Sequence, residues 1–362
     1  MKILIDLCHP ADVHLFRNFY FLMTKKGHQI TITARLKDVS YALLDAAGIP
    51  YIPYGKSYSS ILGKLFGMVK FDLKLLKIAM KVKPDICLSH GSFYLSHVAF
   101  LLRKPFITFE DTGNMEQIRL YRYFSNVIIT PDSFPIKLGK NQIYFPGTKE
   151  LAYLLPKYFI PDAAFLKLAG LTPGEKYIIL RFVGWNASHD IGHQGISHEN
   201  KVRLIKALSA HARVLICSEA ELPAEFLEYR LNVPPESMHH FLYYAAFMYG
   251  ESATMAAECS ILGTPSIYLD DVSRCYVQEI EQKFGFIFNF TESLDDQEKS
   301  LAKALELISL NNIREKFRAQ HELMLADAFD LTGFMVWFIE NYPASLKEVR
   351  ENNEWQNRFK NR

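Results

Sequence analysis

The chain has 362 residues, 49% of them hydrophobic and 22% charged, with a formal net charge of +2. That length calls for two domains and not one core. The composition is that of a soluble globular protein, and the near-neutral charge gives no case for nucleic acid as an electrostatic partner.

The chain opens on an apolar strand, residues 2–8 (KILIDLC), with no long apolar signal core before it. No run approaches the roughly 18 apolar residues of a membrane span, so the expected location is the cytoplasm. A loop from His9 to His14 leads into a helix through Met23, and Gly27-His28 turns into a second strand, Gln29 to Ala34. A helix follows over Val39 to Ala47. Strands at Asp85 to Ser89, Phe106 to Phe109 and Val127 to Thr130 alternate with helices, one of them opening after Gly91. Such alternation argues for a parallel sheet covered on both faces.

After Pro146-Gly147 the pattern restarts. Residues 149–172 read as helical, and Tyr177 to Val183 as a new strand. Then come a helix over 199–211, a strand from Arg213 to Cys217, and helices near 223–230 and over Phe241 to Phe247. Helices at 296–309 and near Thr332 to Asn341 end the pattern. The expected architecture is α/β, with two doubly wound Rossmann-like domains: 1–148 for acceptor and sugar, 149–330 for nucleotide sugar. Residues 331–362 would form a helix and polar tail crossing back to the first domain. In such sheets ligands bind at the carboxyl ends of the strands, and the cleft between two facing domains is the expected site. No strand–helix junction carries G-x-G-x-x-G, which weighs against a nicotinamide or flavin enzyme.

The most informative segment is Gly250 to Asp270 (GESATMAAECSILGTPSIYLD). Ser252 and Thr254 can cap a helix of about ten residues. Gly263 and Pro265 stop that helix, and Ile267 to Leu269 form a buried strand. Free N–H groups at the helix start, aided by the dipole, make an anion site. Glu258, two turns on, could accept from a pair of hydroxyls. Together these suggest a nucleotide diphosphate with its ribose; a plain capped helix is the alternative.

The segment resembles the D-S-G-G-x-x-x-E-A-x-x-L-G-x-P pattern of UDP-N-acetylglucosamine 2-epimerases, enzymes of GT-B architecture like many glycosyltransferases. Ser252 and Glu258 fall on its serine and glutamate, while Ala253 and Thr254 replace its glycines. The resemblance implies phosphate contact from the Ser252–Thr254 loop, ribose contact from Glu258 and a uracil site at Met238 to Leu242. KPDICLSHGS (Lys83 to Ser92) is similar to the epimerase run P-D-x-x-x-x-H-G-D, with Ser92 in place of the catalytic aspartate. Glu110 sits at the glutamate of V-E-A. Taken together, IDLCHPADVHLFRNF, GHQITITAR, ITFEDTGN, IITPD and PGTKELAYL resemble the family called domain of unknown function 354, over most of residues 1–340. That family is placed with glycosyltransferase-like proteins of surface-polysaccharide synthesis.

Several residues are candidates for chemistry. His9 or His14, after the first strand, could take a proton from an acceptor hydroxyl, or simply cap the helix. His14-Leu15-Phe16 is similar to the His-Val-Phe of the lipid-linked N-acetylglucosaminyltransferase of peptidoglycan synthesis. Glu110 is a candidate base or hydroxyl acceptor, and His90 and Ser92 could bind sugar or an anion. Arg181, on an arginine of the resembled family, with Gly184 beyond it, would offset the charge of a leaving diphosphate. His189, His193 and His198 have irregular spacing and no completing Cys or acid, so no metal is expected. Five cysteines without a C-x-x-C pair likewise read as reduced core thiols. No cofactor is called for, the nucleotide sugar being substrate. Residues 59–83 carry six lysines against Asp72 alone; they read as a solvated helix or as a peripheral membrane contact suited to a lipid-linked acceptor. The leading expectation is metal-independent sugar transfer from a UDP-sugar to a saccharide or lipid-linked acceptor. The alternatives are an epimerase-like isomerase and a non-catalytic nucleotide-sugar-binding protein.

Overall fold

The computed structural model describes residues 1–37, 39–56, 61–172, 174–183, 195–218, 221–271 and 274–360, without side chains at 56 and 61–66. It divides into two compact units: residues 1–153 with 328–362, and 154–327.

Unit 1 is a seven-stranded parallel sheet in the order β3-β2-β1-β4-β5-β6-β7. Its elements run β1 (Lys2–Leu7), α1 (Pro10–Lys25), β2 (Gln29–Leu36), α2 (Ser40–Ala46), β3 (Tyr51–Lys56), α3 (Ile61–Val82) and β4 (Ile86–His90), then α4 (Phe93–Leu101), β5 (Phe106–Phe109), α5 (Met115–Tyr121), β6 (Val127–Pro131) and β7 (Gln142–Phe145). Past the exposed Lys2 that opens β1, the central strands are buried, as strands covered on both faces must be. Crossovers between parallel strands are right-handed. Stepping one way and then the other from β1 therefore puts α1 and α2 on one face and α3, α4 and α5 on the opposite face. A core of Phe71, Leu75 and Ala79 from α3 packs against Leu95, Val98 and Ala99 of α4.

The short α6 (Leu151–Leu154) leads into unit 2, a five-stranded parallel sheet in the order β12-β11-β10-β8-β9. Its elements are β8 (Tyr177–Phe182), α7 (His198–Ser209), β9 (Arg213–Ser218), α8 (Met238–Tyr244), β10 (Met248–Gly250), α9 (Ala253–Leu262), β11 (Ser266–Leu269), α10 (Cys275–Phe284) and β12 (Ile287–Phe290). Helices α11 (Leu294–Ser309), α12 (Ile313–Lys316) and α13 (Arg318–Ala326) complete it. Then α14 (Leu331–Glu340) and α15 (Ala344–Glu351) belong to unit 1 again. There Thr332 on α14 and Asn18 on α1 both donate to the Ala152 carbonyl, at 2.7 and 2.9 Å.

Three expectations need correction. Residues 149–172 do not form one helix: Pro156 and Pro161 break the run into α6 and a 3-10 turn over Ala163–Ala169. Residues 224–229 are also a 3-10 turn, entered from Pro223. The helix expected over Phe241 to Phe247 starts at Met238 and ends at Tyr244, because Met248–Gly250 is a strand. The edge strand β3 was hidden by its own Pro53 and Gly55, residues an edge tolerates and a central strand does not.

Candidate functional site

Each unit has a point where the strand order reverses direction, and the crevice outside the strand carboxyl ends there is where open α/β sheets take ligands. In unit 1 it lies between β1 and β4, in unit 2 between β8 and β10.

The unit 1 crevice is bridged by a buried chain of charge. His9 is the N-cap of α1: its Nδ1 accepts from the Ala11 N–H at 3.2 Å. Asp12 returns the capping box, one oxygen accepting from the Cys8 and His9 N–H groups at 2.8 and 2.9 Å. Its other oxygen lies 2.9 Å from Nδ1 of His90, at the end of β4. The far nitrogen of His90 lies 3.0 Å from Asp111, and Asp111 is paired in turn with Lys149, which also lies 3.1 Å from Glu150. Burial alone would push His90 down, but Asp111 and Asp12 overcome it and raise its pKa to about 10. Burial would raise Asp111; Lys149 and His90 overcome that and hold it well below the usual carboxylate range. At neutral pH His90 is thus an imidazolium donating at both nitrogens. It can orient Asp12 and Asp111 but cannot accept a proton.

This changes several expected roles. The capping histidine is His9, whose ring is exposed to solvent. With Nδ1 occupied as an acceptor, the neutral ring carries its proton on Nε2. His14 lies inside α1, its ring stacked on Tyr153 with centroids 5.2 Å apart. Glu110, expected as a base, is instead the organiser of its loop. One oxygen accepts from the Thr112 and Gly113 N–H groups at 2.6 and 3.0 Å and from the Thr112 hydroxyl at 2.6 Å; the other accepts from Tyr121. Ser92, expected to contact sugar or an anion, caps α4 through the Leu95 N–H at 3.3 Å and donates to Asp6. Asp6 is fully buried and also accepts from Thr33 at 2.8 Å and Tyr54 at 3.0 Å. A carboxylate at position 92 would therefore face another carboxylate in the core. Asp12 was readable from its capping-box spacing, and Asp111 from its place beside Glu110. Lys149 gave no signal, since nothing local marks a lysine that will be buried.

In unit 2 the Gly250–Asp270 segment folds as its residues require. The N-cap of α9 is Ser252, whose hydroxyl accepts from the Met255 N–H at 3.3 Å, and Gly263 ends the helix with φ 77°. Ala253 and Thr254 occupy the first two helical positions, whose N–H groups have no partner within the helix. They sit at the carboxyl end of β10, on the switch-point crevice. Gly250 pairs in register with Arg181 on β8, and a Cβ on Gly250 would lie 2.1 Å from the Arg181 carbonyl oxygen. Only glycine permits this approach. The Arg181 guanidinium donates to Cys217 Sγ at 3.3 Å, and Gly184 lies outside the described residues.

Glu258 is buried, with one oxygen 2.9 Å from Nε2 of His239 on α8. Met238 begins that helix and is partly exposed. Two functional candidates were missed here. His239 sits inside the quoted Met238–Leu242 run, yet its pairing with Glu258 joins two helices and leaves no local trace. Glu251 is buried and accepts from the Val183 N–H at 2.9 Å and the Ile196 N–H at 2.7 Å. One carboxylate thus joins the chain at Val183 to the chain at Ile196. Of the three spaced histidines, His189 and His193 fall outside the described residues; His198 pairs with Glu225 at 2.8 Å and stacks on Phe226.

Two doubly wound parallel α/β units, each with a switch-point crevice, define the GT-B class of fold. Solved structures agree. A Neisseria meningitidis UDP-GlcNAc 2-epimerase bound to UDP-GlcNAc superposes with TM-score 0.66 at 15% identity, covering 90% of this chain and 98% of that one. S. aureus MnaA with UDP gives 0.67 at 14% identity, covering 96% and 98%. The spinosyn rhamnosyltransferase SpnG with spinosyn aglycone gives 0.60 at 13%, covering 94% and 100%. By sequence, residues 1–330 match the family described as "Protein of unknown function (DUF354)", and the chain belongs to that family. An uncharacterized protein of Methanocaldococcus jannaschii is 28% identical over 291 residues, 77% of this chain and 83% of the relative.

Proposed function

We propose that the protein is a metal-independent sugar transferase that uses a UDP-sugar. The observation that carries this reading is the start of α9, where orphan N–H groups and the Ser252 cap sit on the switch-point crevice of unit 2. The N–H groups of Ala253 and Thr254 with Arg181 offset diphosphate charge, including the charge that grows on the leaving group. That supply of positive charge removes the need for a divalent ion. Glu258, oriented by His239, takes the ribose hydroxyls, and the start of α8 at Met238 takes the base. Structures similar in fold have UDP or UDP-GlcNAc bound.

Unit 1 receives the acceptor. Its hydroxyl oxygen attacks the anomeric carbon, its proton passes to His14, and the bond to the diphosphate oxygen breaks to release UDP. The isomerase reading is disfavoured by Ser92, a non-ionisable residue whose hydroxyl donates to the buried Asp6.

Calorimetric titration with UDP and a panel of UDP-sugars tests the reading, in buffer containing EDTA. Binding that is lost in Glu258→Ala supports it, and failure of every nucleotide to bind overturns it. Conversion of a UDP-sugar without acceptor would favour an isomerase. Binding with no turnover under any acceptor would favour a non-catalytic binding protein.

A further inference from the structure

The helix α3 has two faces that both behave as if they were buried, and only one of them is. At about 100° per residue, Phe71, Leu75 and Ala79 form its inner face, 2%, 0% and 0% exposed against the sheet. Val69, Leu73 and Met80 fall on a second stripe, pointing outward and 58%, 54% and 50% exposed. A surface helix normally carries one apolar stripe and gives its outer face to polar residues. Here the outer face is shared between that apolar stripe and an adjacent row of exposed lysines, Lys70, Lys74, Lys77 and Lys81. An open groove along this face is lined by Val69, Lys70, Leu73, Lys74 and Lys77.

The surface continues onto the neighbouring helices. Helices α3, α4 and α5 all run antiparallel to the strands, so their C-terminal ends come to the same end of the sheet, the amino-terminal end of its strands. There α4 exposes Phe100 and Leu101, at 60% and 64%, and the chain after α5 exposes Tyr123 at 76%. Phe100 packs on Phe124 with ring centroids 5.1 Å apart. His97 holds the three elements together, its ring 3.0 Å from Asp72 on α3 and 3.2 Å from the Leu120 carbonyl. Arg103 and Arg119 are exposed beside these residues. The nearby acids are already engaged: Asp72 by His97, and Asp85 by the Lys2 N–H at 2.7 Å.

We propose that this face of unit 1, the outer stripe of α3 with the C-terminal ends of α4 and α5, docks on a bilayer surface bearing anionic headgroups. The sign of the charge selects the occupant. Basic residues flank exposed Val, Leu, Met, Phe and Tyr side chains with few unpaired acids among them, which suits acyl chains below and phosphate-bearing headgroups around. Contact is peripheral: among the described residues no helix is long and apolar enough to cross a membrane. The inference does not depend on the nucleotide reading of unit 2.

Cosedimentation of the full chain with vesicles of phosphatidylcholine alone, or with about a third phosphatidylglycerol, tests it. The anionic vesicles should bind the protein, the neutral ones far less, and added salt should weaken binding. Each basic residue near an anionic surface contributes about 1 kcal/mol. The double variant Lys77→Gln/Lys81→Gln should therefore lose about 30-fold in partition. Leu73→Ser/Met80→Ser should lose at least about 10-fold through apolar area alone. Both pairs are exposed, so each variant should keep the wild-type melting curve. Equal binding to neutral vesicles, no binding to anionic ones, or variants that bind like wild type would overturn the proposal. So would a concentration-dependent dimer that Leu73→Ser/Met80→Ser dissolves without any vesicle binding.

Discussion

Removing the His90 imidazole tests the buried charge chain of unit 1. In His90→Ala, Asp12 and Asp111 lose their shared cation while staying buried, at 0% and 7% exposed. Breaking a buried ion pair by deleting one partner costs about 3–5 kcal/mol. Two features place the loss at the lower end. Asp12 keeps the Cys8 and His9 N–H donors, and Asp111 keeps Lys149. The expected destabilisation is about 3 kcal/mol at pH 7, a melting shift of roughly 6–12 °C for a unit of this size. The pH dependence has a definite sign. The His90 pKa is raised from 6.5 to about 10 on folding. Its contribution is therefore full below about 6.5 and disappears as pH rises through 10. Asp111 is shifted the other way, so its contribution is present above the ordinary 3.8 and is lost as pH falls below it. Denaturant unfolding of both proteins across this range, with 15N spectra of the imidazole, measures each part. A His90 that titrates near its ordinary value, or a gap between variant and wild type under about 1 kcal/mol, would refute a buried imidazolium.

Other substitutions follow from the same geometry. Gly250→Ala should leave the protein largely insoluble or several kcal/mol less stable, on the order of 3 or more, because the new Cβ meets the Arg181 carbonyl; expression and melting temperature read this. Glu251→Gln keeps the shape but turns one of its two acceptors into an amide donor facing a backbone N–H, and should cost about 2–3 kcal/mol, read as a lowered melting temperature. Ser92→Asp should destabilise by forcing a carboxylate against Asp6, and should not create epimerase activity. Glu110→Gln should act as a folding defect, lowering stability more than it changes UDP affinity, because Glu110 holds its own loop.

What could be read from the sequence was local. The α9 segment was legible because its start, length and stop are set by Ser252, Gly263 and Pro265, all within one helix and its caps. The alternation of apolar runs gave the doubly wound sheets for the same reason. The charge chain was not legible, since its contacts join residues 78, 21 and 38 positions apart. Glu110 and Ser92 occupy positions of the epimerase pattern, and packing gives each a different task. Glu110 has its own loop's N–H groups to satisfy, and Ser92 answers a buried Asp6 contributed by β1. Of His9 and His14, the sequence left the cap open between them; a capping box with Asp12 settles it on His9, because only the residue at the N-cap can reach the first free N–H groups.

The central claim is that the start of α9 holds a nucleotide diphosphate. Amide hydrogen exchange with and without UDP tests it at the residues concerned. With UDP bound, exchange should slow at Ala253, Thr254 and Met255 and around Met238, and the slowing should be lost in Glu258→Ala. Unchanged exchange in this turn, with UDP protecting some other segment, would contradict it.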